Sequence, residues 1–165
     1  MGIQDAYSRV ARLPEKVCLL GALAGDAIGS VFEFTNQKSI DFPLFSPRSG
    51  FTDDSVLTLA VAEAILAGRS YHDCLHQFAR RYPHSGYGGR FTHWMLSADP
   101  QPYNSYGNGS AMRVSPVGWA FNTVEEVLQQ AAASAQPTHN HPEGIKGAQA
   151  VALAILRARQ GGTKE

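Results

Sequence analysis

The chain has 165 residues, an ordinary size for one domain, and 44% hydrophobic with 17% charged content is enough to build a core, which excludes a disordered segment. Fourteen Lys and Arg balance fourteen Asp and Glu, and no basic block breaks that balance. A nucleic-acid surface or an anionic membrane therefore has no electrostatic support, and a small-molecule or protein substrate is expected. Cys18 and Cys74 are too few and too far apart for a disulfide framework or a zinc cluster, which suits a reducing, cytoplasmic setting.

Near the start, Arg9, Arg12 and Lys16 precede the apolar run Val17 to Ala24, and Ala22 with Ala24 imitates a signal-peptidase site. Pro14 and Glu15 make a poor leader, and cleavage there would delete most of a helix, so the run is read as that helix. Its apolar positions Val17, Leu20, Leu23, Ala24, Ala27, Ile28 and Val31 recur at helical spacing, and Gly21, Gly25 and Gly29 form a stripe that would let another backbone approach closely. No run approaches the length of a transmembrane span. From Thr35 to Gly50, Pro43, Pro47 and Gly50 without periodicity predict a loop, leaving Glu33 near a mobile flank. A second helix is expected from about Asp53 to Ala67, stopped by Gly68, and a third from Ser70 through Tyr82, before a turn-rich loop from Pro83 to Gly89.

A further loop from Pro100 to Gly109 leads into an apolar run from Ser110 to Phe121, read as one shorter helix. Thr123 with Glu126 three residues on forms a capping box ahead of a helix from Val124 to Ala135. Pro142 and Glu143 suit the first turn of a last helix ending at Arg159, with Gly161 just beyond it. No alternating strand pattern or internal repeat is present, so the fold class expected is all-α.

The segment most suggestive of chemistry is Thr52-Asp53-Asp54-Ser55, two carboxylates and two hydroxyls at a helix start. Hard oxygen donors this close suit Mg²⁺ or Mn²⁺. The same residues also make a plain N-cap with acidic groups favoured by the helix dipole. The turn Gly107-Asn108-Gly109-Ser110 can offer backbone N–H groups, with the dipole of a helix beginning at Ser110, to an anionic group, or can be an ordinary Asn-Gly turn with a Ser cap. Tyr106 would stack on a ribose or base, or pack locally. His139 and His141 flank Asn140 as a metal pair or a polar contact to ligand. Zinc is a poor choice for them without thiolates. His72, His76, His84 and His93 have no motif around them and receive no role, although the i, i+4 spacing of His72 and His76 would form a surface metal site by accident.

Four segments in order, Gly25-Asp26-Ala27-Ile28-Gly29 with Glu33, Thr52-Asp53-Asp54-Ser55, Tyr106-Gly107-Asn108-Gly109-Ser110-Ala111-Met112-Arg113 and Thr138-His139-Asn140-His141-Pro142, resemble the ADP-ribosylglycohydrolases. The resemblance covers the chain from about Val17 onward. It implies an all-α orthogonal helical bundle and hydrolysis of the glycosidic bond joining ADP-ribose to a protein side chain or small molecule, with two Mg²⁺ or Mn²⁺ ions in complete members. On the matching positions it implies Thr52, Asp53, Asp54 and Glu33 as metal ligands, with Glu33, Asp53 and Asp54 catalytic. Tyr106, Gly107, Asn108, Gly109, Ser110, Met112 and His139 become substrate-binding residues, Asp26 an acceptor orienting the metal ligands, and His141 a helix-starting residue.

The sequence departs from the family pattern in one respect. Family members carry a second acidic Asp-x-Asp-Thr motif near their C-terminus, and this sequence runs to Gly161-Gly162-Thr163-Lys164-Glu165 without it. The chain is therefore read as a single partial domain, residues 1–165, truncated relative to the family. The partners expected are ADP-ribose or an ADP-ribosylated protein, and a homodimer or a complementing C-terminal half. Two other readings compete: a truncated, catalytically impaired relative that binds ADP-ribose or a protein, and a helical interaction module whose uncovered apolar faces dimerise.

Overall fold

The computed structural model describes residues 18–163, and among them the regular structure is entirely helical. Helix α1 spans Cys18–Gly29, α2 Asp53–Ala67, α3 Tyr71–Arg81, α4 Gly89–Leu96, α5 Gly109–Met112, α6 Ser115–Ala120, α7 Val124–Ala135 and α8 Pro142–Arg159. Val17, expected to open α1, and the Arg9 to Lys16 stretch weighed as a leader lie outside the described residues, as do Lys164 and Glu165. No helix among the described residues is long and apolar enough to cross a membrane.

The long helices begin and end where their caps dictate. Thr52 Oγ1 accepts from the Asp54 N–H, Ser70 from the Asp73 N–H, and Thr123 from the Glu126 N–H. Glu126 answers from its carboxylate to the Thr123 N–H, completing the capping box. Helix α2 closes at Gly68, whose φ of 62° is a left-handed conformation that costs glycine little. His141 caps α8 by accepting the Glu143 N–H on Nδ1 at 3.1 Å, with Pro142 in the first turn.

Two expectations are corrected. The stretch Gly89–Leu96, not predicted as regular structure, is α4, which buries Phe91, Trp94 and Met95 at i, i+3 and i+4. The single helix expected from Ser110 to Phe121 is two, α5 and α6. Pro116 lies in the first turn of α6 and has no N–H to give to a carbonyl of the preceding turn, so the helical ladder restarts there.

The core is a layer of small and branched side chains between α2, α3 and α4 on one side and α6, α7 and α8 on the other. Leu57, Val61, Cys74, Leu75, Val117, Val127, Ala131, Ala152 and Leu156 are at most 1% exposed, and each fully buried Leu or Val contributes about 1.5–3 kcal/mol. Helix α6 reaches α8 closely through Gly118, where a Cβ would stand 2.7 Å from the Ala152 carbonyl oxygen. The α1 glycine stripe is not used in this way: nothing among the described residues comes within 4 Å of a Cβ placed at Gly21, Gly25 or Gly29. Helix α1 packs instead on α2 and α6, which brings Asp26 to the start of α2.

Candidate active site

The acidic segment is held by a carboxylate 26 residues upstream. Asp26 Oδ2 accepts from the Thr52 N–H at 2.7 Å, the Ser55 N–H at 3.1 Å and the Ser55 hydroxyl at 2.5 Å, while Oδ1 accepts from the Thr52 hydroxyl at 2.6 Å. The opening N–H groups of a helix have no intrahelical partner, and here α1 supplies it. Thr52 is thus both the expected N-cap and a hydroxyl anchored on Asp26. With the helix start fixed from behind, Asp53 and Asp54 remain half-buried and make no side-chain ion pair among the described residues.

Half-burial and mutual repulsion act together on this pair. Desolvation, then the charges of Asp54, Glu33 and Asp26, push the Asp53 carboxyl up to about 6, and burial with the charges of Asp26 and Glu33 raises Asp54. Glu33 is an exposed residue in the turn after α1, close enough for its charge to be felt by both. The loop before α4 also approaches: a Cβ at Gly86, whose φ is +93°, would lie 3.8 Å from Asp53 Oδ1. Burial, assisted by the Asp53 charge, pushes the neighbouring Tyr87 phenol up to about 12. Sequence reasoning left this loop without a role, since nothing in Pro83 to Gly89 names its neighbour.

The donor set is all hard oxygen, and half-buried carboxylates beside other negative charge are stabilised by a divalent cation, so Asp53 and Asp54 with Thr52 fit one chemically. No group of three or more His, Cys, Asp or Glu positioned to hold a metal ion is found among the described residues. The set there is a pair and a hydroxyl, with Glu33 as a near charge.

The second half of the site is the corner where the loop from Tyr103 to Ser110 meets the segment from Thr138 to Gly144. Asn104, at a left-handed φ of 53°, donates its N–H to Asn140 Oδ1 at 2.7 Å, and the Ser105 N–H donates to the Thr138 carbonyl at 3.2 Å. Gly109 is required by His139: a Cβ there would fall 2.9 Å from His139 Cε1 and 3.0 Å from Nε2. Gly107 and Asn108 are exposed, and Gly107 is open apart from the Ser105 hydroxyl. Tyr106, 72% exposed, sets its ring 5.3 Å from that of His141, the local packing foreseen as its alternative.

Several residues expected to bind substrate change character in this geometry. Ser110 is fully buried and its hydroxyl donates to the Gly144 carbonyl at 2.7 Å, so it braces the corner instead of facing a ligand. The Met112 side chain packs against the core, and its carbonyl accepts from Thr58 at 3.5 Å. Helix α5 has four residues, too few for the aligned dipole expected of a helix beginning at Ser110. The Thr58 contact, one turn beyond Asp54 on α2, links the acidic half to the loop half.

His139 is 4% exposed, and burial followed by the charges of Arg113 and Arg90 pushes it down to about 4, so its imidazole is neutral at physiological pH. Thr138 Oγ1 lies 2.8 Å from its Nδ1 and also accepts from Arg113 Nη2 at 2.9 Å. Arg113 is fully buried, and no signal in the sequence connected it to His139. His72 and His76 stack on each other, and His72 also bonds to Asp73 and the Pro100 carbonyl. Two clefts lie away from the carboxylates. One of about 450 Å³ is lined by Arg90, Trp94, Asp99 and Tyr103 among others, and one of about 350 Å³ by Tyr71, His72, Pro102 and Pro137 among others. Tyr103 joins the first to the corner, its ring 6.2 Å from that of His139.

The family model for ADP-ribosylglycohydrolase matches residues 7–165. ADP-ribosylhydrolase ARH3 of Mus musculus is 34% identical over 179 residues, which cover 87% of this chain and 48% of that protein, and its Homo sapiens counterpart is 33% identical, covering 87% and 49%. Uncharacterized protein YegU of Escherichia coli (strain K12) is 27% identical over 181 residues, covering 87% and 54%. The chain spans about half the length of the curated relatives it matches. The clamped acidic helix start, the glycine turn against His139 and the all-helical frame are thus carried on a sequence matched over nearly its whole length, and the chain belongs to the ADP-ribosylglycohydrolase family.

Proposed function

We propose that this chain takes part in hydrolysing the glycosidic bond between ADP-ribose and a protein side chain or small molecule. The observation that carries the reading is the acidic pair Asp53 and Asp54 at the start of α2, a helix start held by Asp26, half-buried and beside further negative charge. Asp53, Asp54 and the Thr52 oxygen would hold Mg²⁺ or Mn²⁺, with Glu33 nearby. When bound, the cation supplies positive charge that polarises a water and offsets charge on the substrate hydroxyls.

The chain's own residues account for binding and proton handling. The exposed backbone of Gly107 and Asn108 receives the ligand, and His139 contacts one of its oxygens. Glu33, exposed and free of an ion pair among the described residues, is the carboxylate available to accept the proton of the attacking water. Bond cleavage at the ribose anomeric carbon passes through an oxocarbenium-like state, in which water adds as the bond to the amino-acid nitrogen or oxygen breaks and the leaving group takes up a proton. A cytoplasmic location goes with this reading.

A second reading, an ADP-ribose-binding relative with impaired catalysis, is favoured by one observation: no third acidic or imidazole group joins Asp53 and Asp54 to form a metal-binding group among the described residues. Calorimetric titration with ADP-ribose and release of ADP-ribose from an arginine- or serine-modified protein with Mg²⁺ separate the two. Binding with turnover only when a complementing acidic motif is supplied supports a hydrolytic site completed from elsewhere. Binding without turnover under both conditions supports the second reading, and absence of ADP-ribose binding removes both.

A further inference from the structure

Arg113 is fully buried, yet no carboxylate is bonded to it among the described residues. Its Nη2 donates to the Ser134 carbonyl at 2.8 Å and to Thr138 Oγ1 at 2.9 Å, while Nε and Nη1 have no partner there. A guanidinium can only donate. Thr138 Oγ1 therefore accepts from Arg113, and the single hydroxyl hydrogen of this fully buried residue needs an acceptor of its own. The acceptor in range is His139 Nδ1 at 2.8 Å. Were Nδ1 protonated instead, two donors would converge on Thr138 and its hydroxyl hydrogen would be left buried and unpaired, a costly arrangement. The depressed basicity of His139 agrees, since an imidazolium would create the same conflict.

We propose that Arg113 and Thr138 are positioning residues that lock His139 as the neutral tautomer with the hydrogen on Nε2, a hydrogen-bond donor beside the Gly107–Gly109 turn. Nε2 makes no hydrogen bond among the described residues and lies 3.0 Å from the point where a Gly109 Cβ would be. This has two consequences for ligand binding. A ring nitrogen that carries a hydrogen has no lone pair for a cation, so His139 is not a metal ligand. Its complement is an acceptor oxygen, as on a phosphate or a ribose, and only this ligand class rests on the function proposed above.

The test uses the whole chain, ¹⁵N-labelled, without ligand. Long-range ¹H–¹⁵N spectra are expected to show His139 Nδ1 unprotonated and Nε2 protonated from pH 5 to 8. Thr138→Val, which keeps the shape of the side chain and removes the hydroxyl, should convert His139 to a mixture of tautomers and weaken ADP-ribose binding in proportion to the Nε2–H form lost, about twofold for an even mixture. Thr138→Ser should restore both. A wild-type His139 protonated on Nδ1, or an unchanged tautomer in folded Thr138→Val, overturns the relay. A wild-type Nδ1–H tautomer overturns the relay even if the valine variant fails to fold. An Nε2–H tautomer in a wild-type protein that binds no ADP-ribose upholds the relay and overturns the ligand reading.

Discussion

Replacing Asp26 tests how α1 holds the acidic helix start. In Asp26→Ala all four hydrogen bonds to Thr52 and Ser55 are lost. A hydrogen bond to a charged group contributes about 1.5–3 kcal/mol, but water can reach this half-buried site and replace part of each, so the expected loss is about 3 kcal/mol rather than the full sum. In a domain of this size that lowers Tm by roughly 6–12 °C. Asp26→Asn should cost about 1 kcal/mol: the amide oxygen can take the three donors now on Oδ2, and the amide nitrogen then faces only the Thr52 hydroxyl, which can rotate to accept. The asparagine also removes a charge that raises both Asp53 and Asp54, so both should titrate at lower pH than in the wild type. Urea unfolding gives the stabilities and carboxyl ¹³C shifts give the titrations. Equal stability of the alanine variant and the wild type, or equal cost for alanine and asparagine, would refute the clamp.

Three further outcomes are expected. Calorimetry should detect weak Mn²⁺ binding that disappears when Asp53→Asn and Asp54→Asn are combined, and identical heats for the two proteins would remove the metal assignment. Gly109→Val should push His139 aside, because the added Cβ meets Cε1 at 2.9 Å, costing about 1–3 kcal/mol of stability and most of the ADP-ribose affinity; a folded variant with unchanged affinity would place the cradle elsewhere. His139 should make stability depend on pH. Its folded pKa of about 4 lies below the free value of 6.5, so the stabilisation is complete above pH 6.5 and is lost as pH falls towards 4, by up to about 3 kcal/mol. Asp53, raised to about 6, acts oppositely in that window, favouring the folded state on protonation. The His139 contribution is therefore read as the difference between wild type and His139→Asn in urea unfolding, and a difference that stays flat from pH 7 to 4 counts against it.

The sequence by itself determined the helical class and most element ends, because those signals act within one turn of chain. Thr52, Ser70, the Thr123 and Glu126 pair, Gly68, and His141 with Pro142 each satisfy or terminate backbone groups two to four residues away, so their meaning is legible in order. The acidic pair was legible in the same way, as was the likeness of four ordered segments to a family. Helix α4 was overlooked although Phe91, Trp94 and Met95 carried its period, since Gly88 offers no capping side chain to announce it. What only the tertiary structure decided is which residue answers which across 20 to 35 positions. Asp26 fastens Thr52 and Ser55, Ser110 turns inward to Gly144, and Arg113 reaches Thr138 and through it His139. A buried polar group must find a partner, but the sequence does not say which distant atom that is. Here the packing of α1 on α2, and of α5 and α7 against α8, selects the partners.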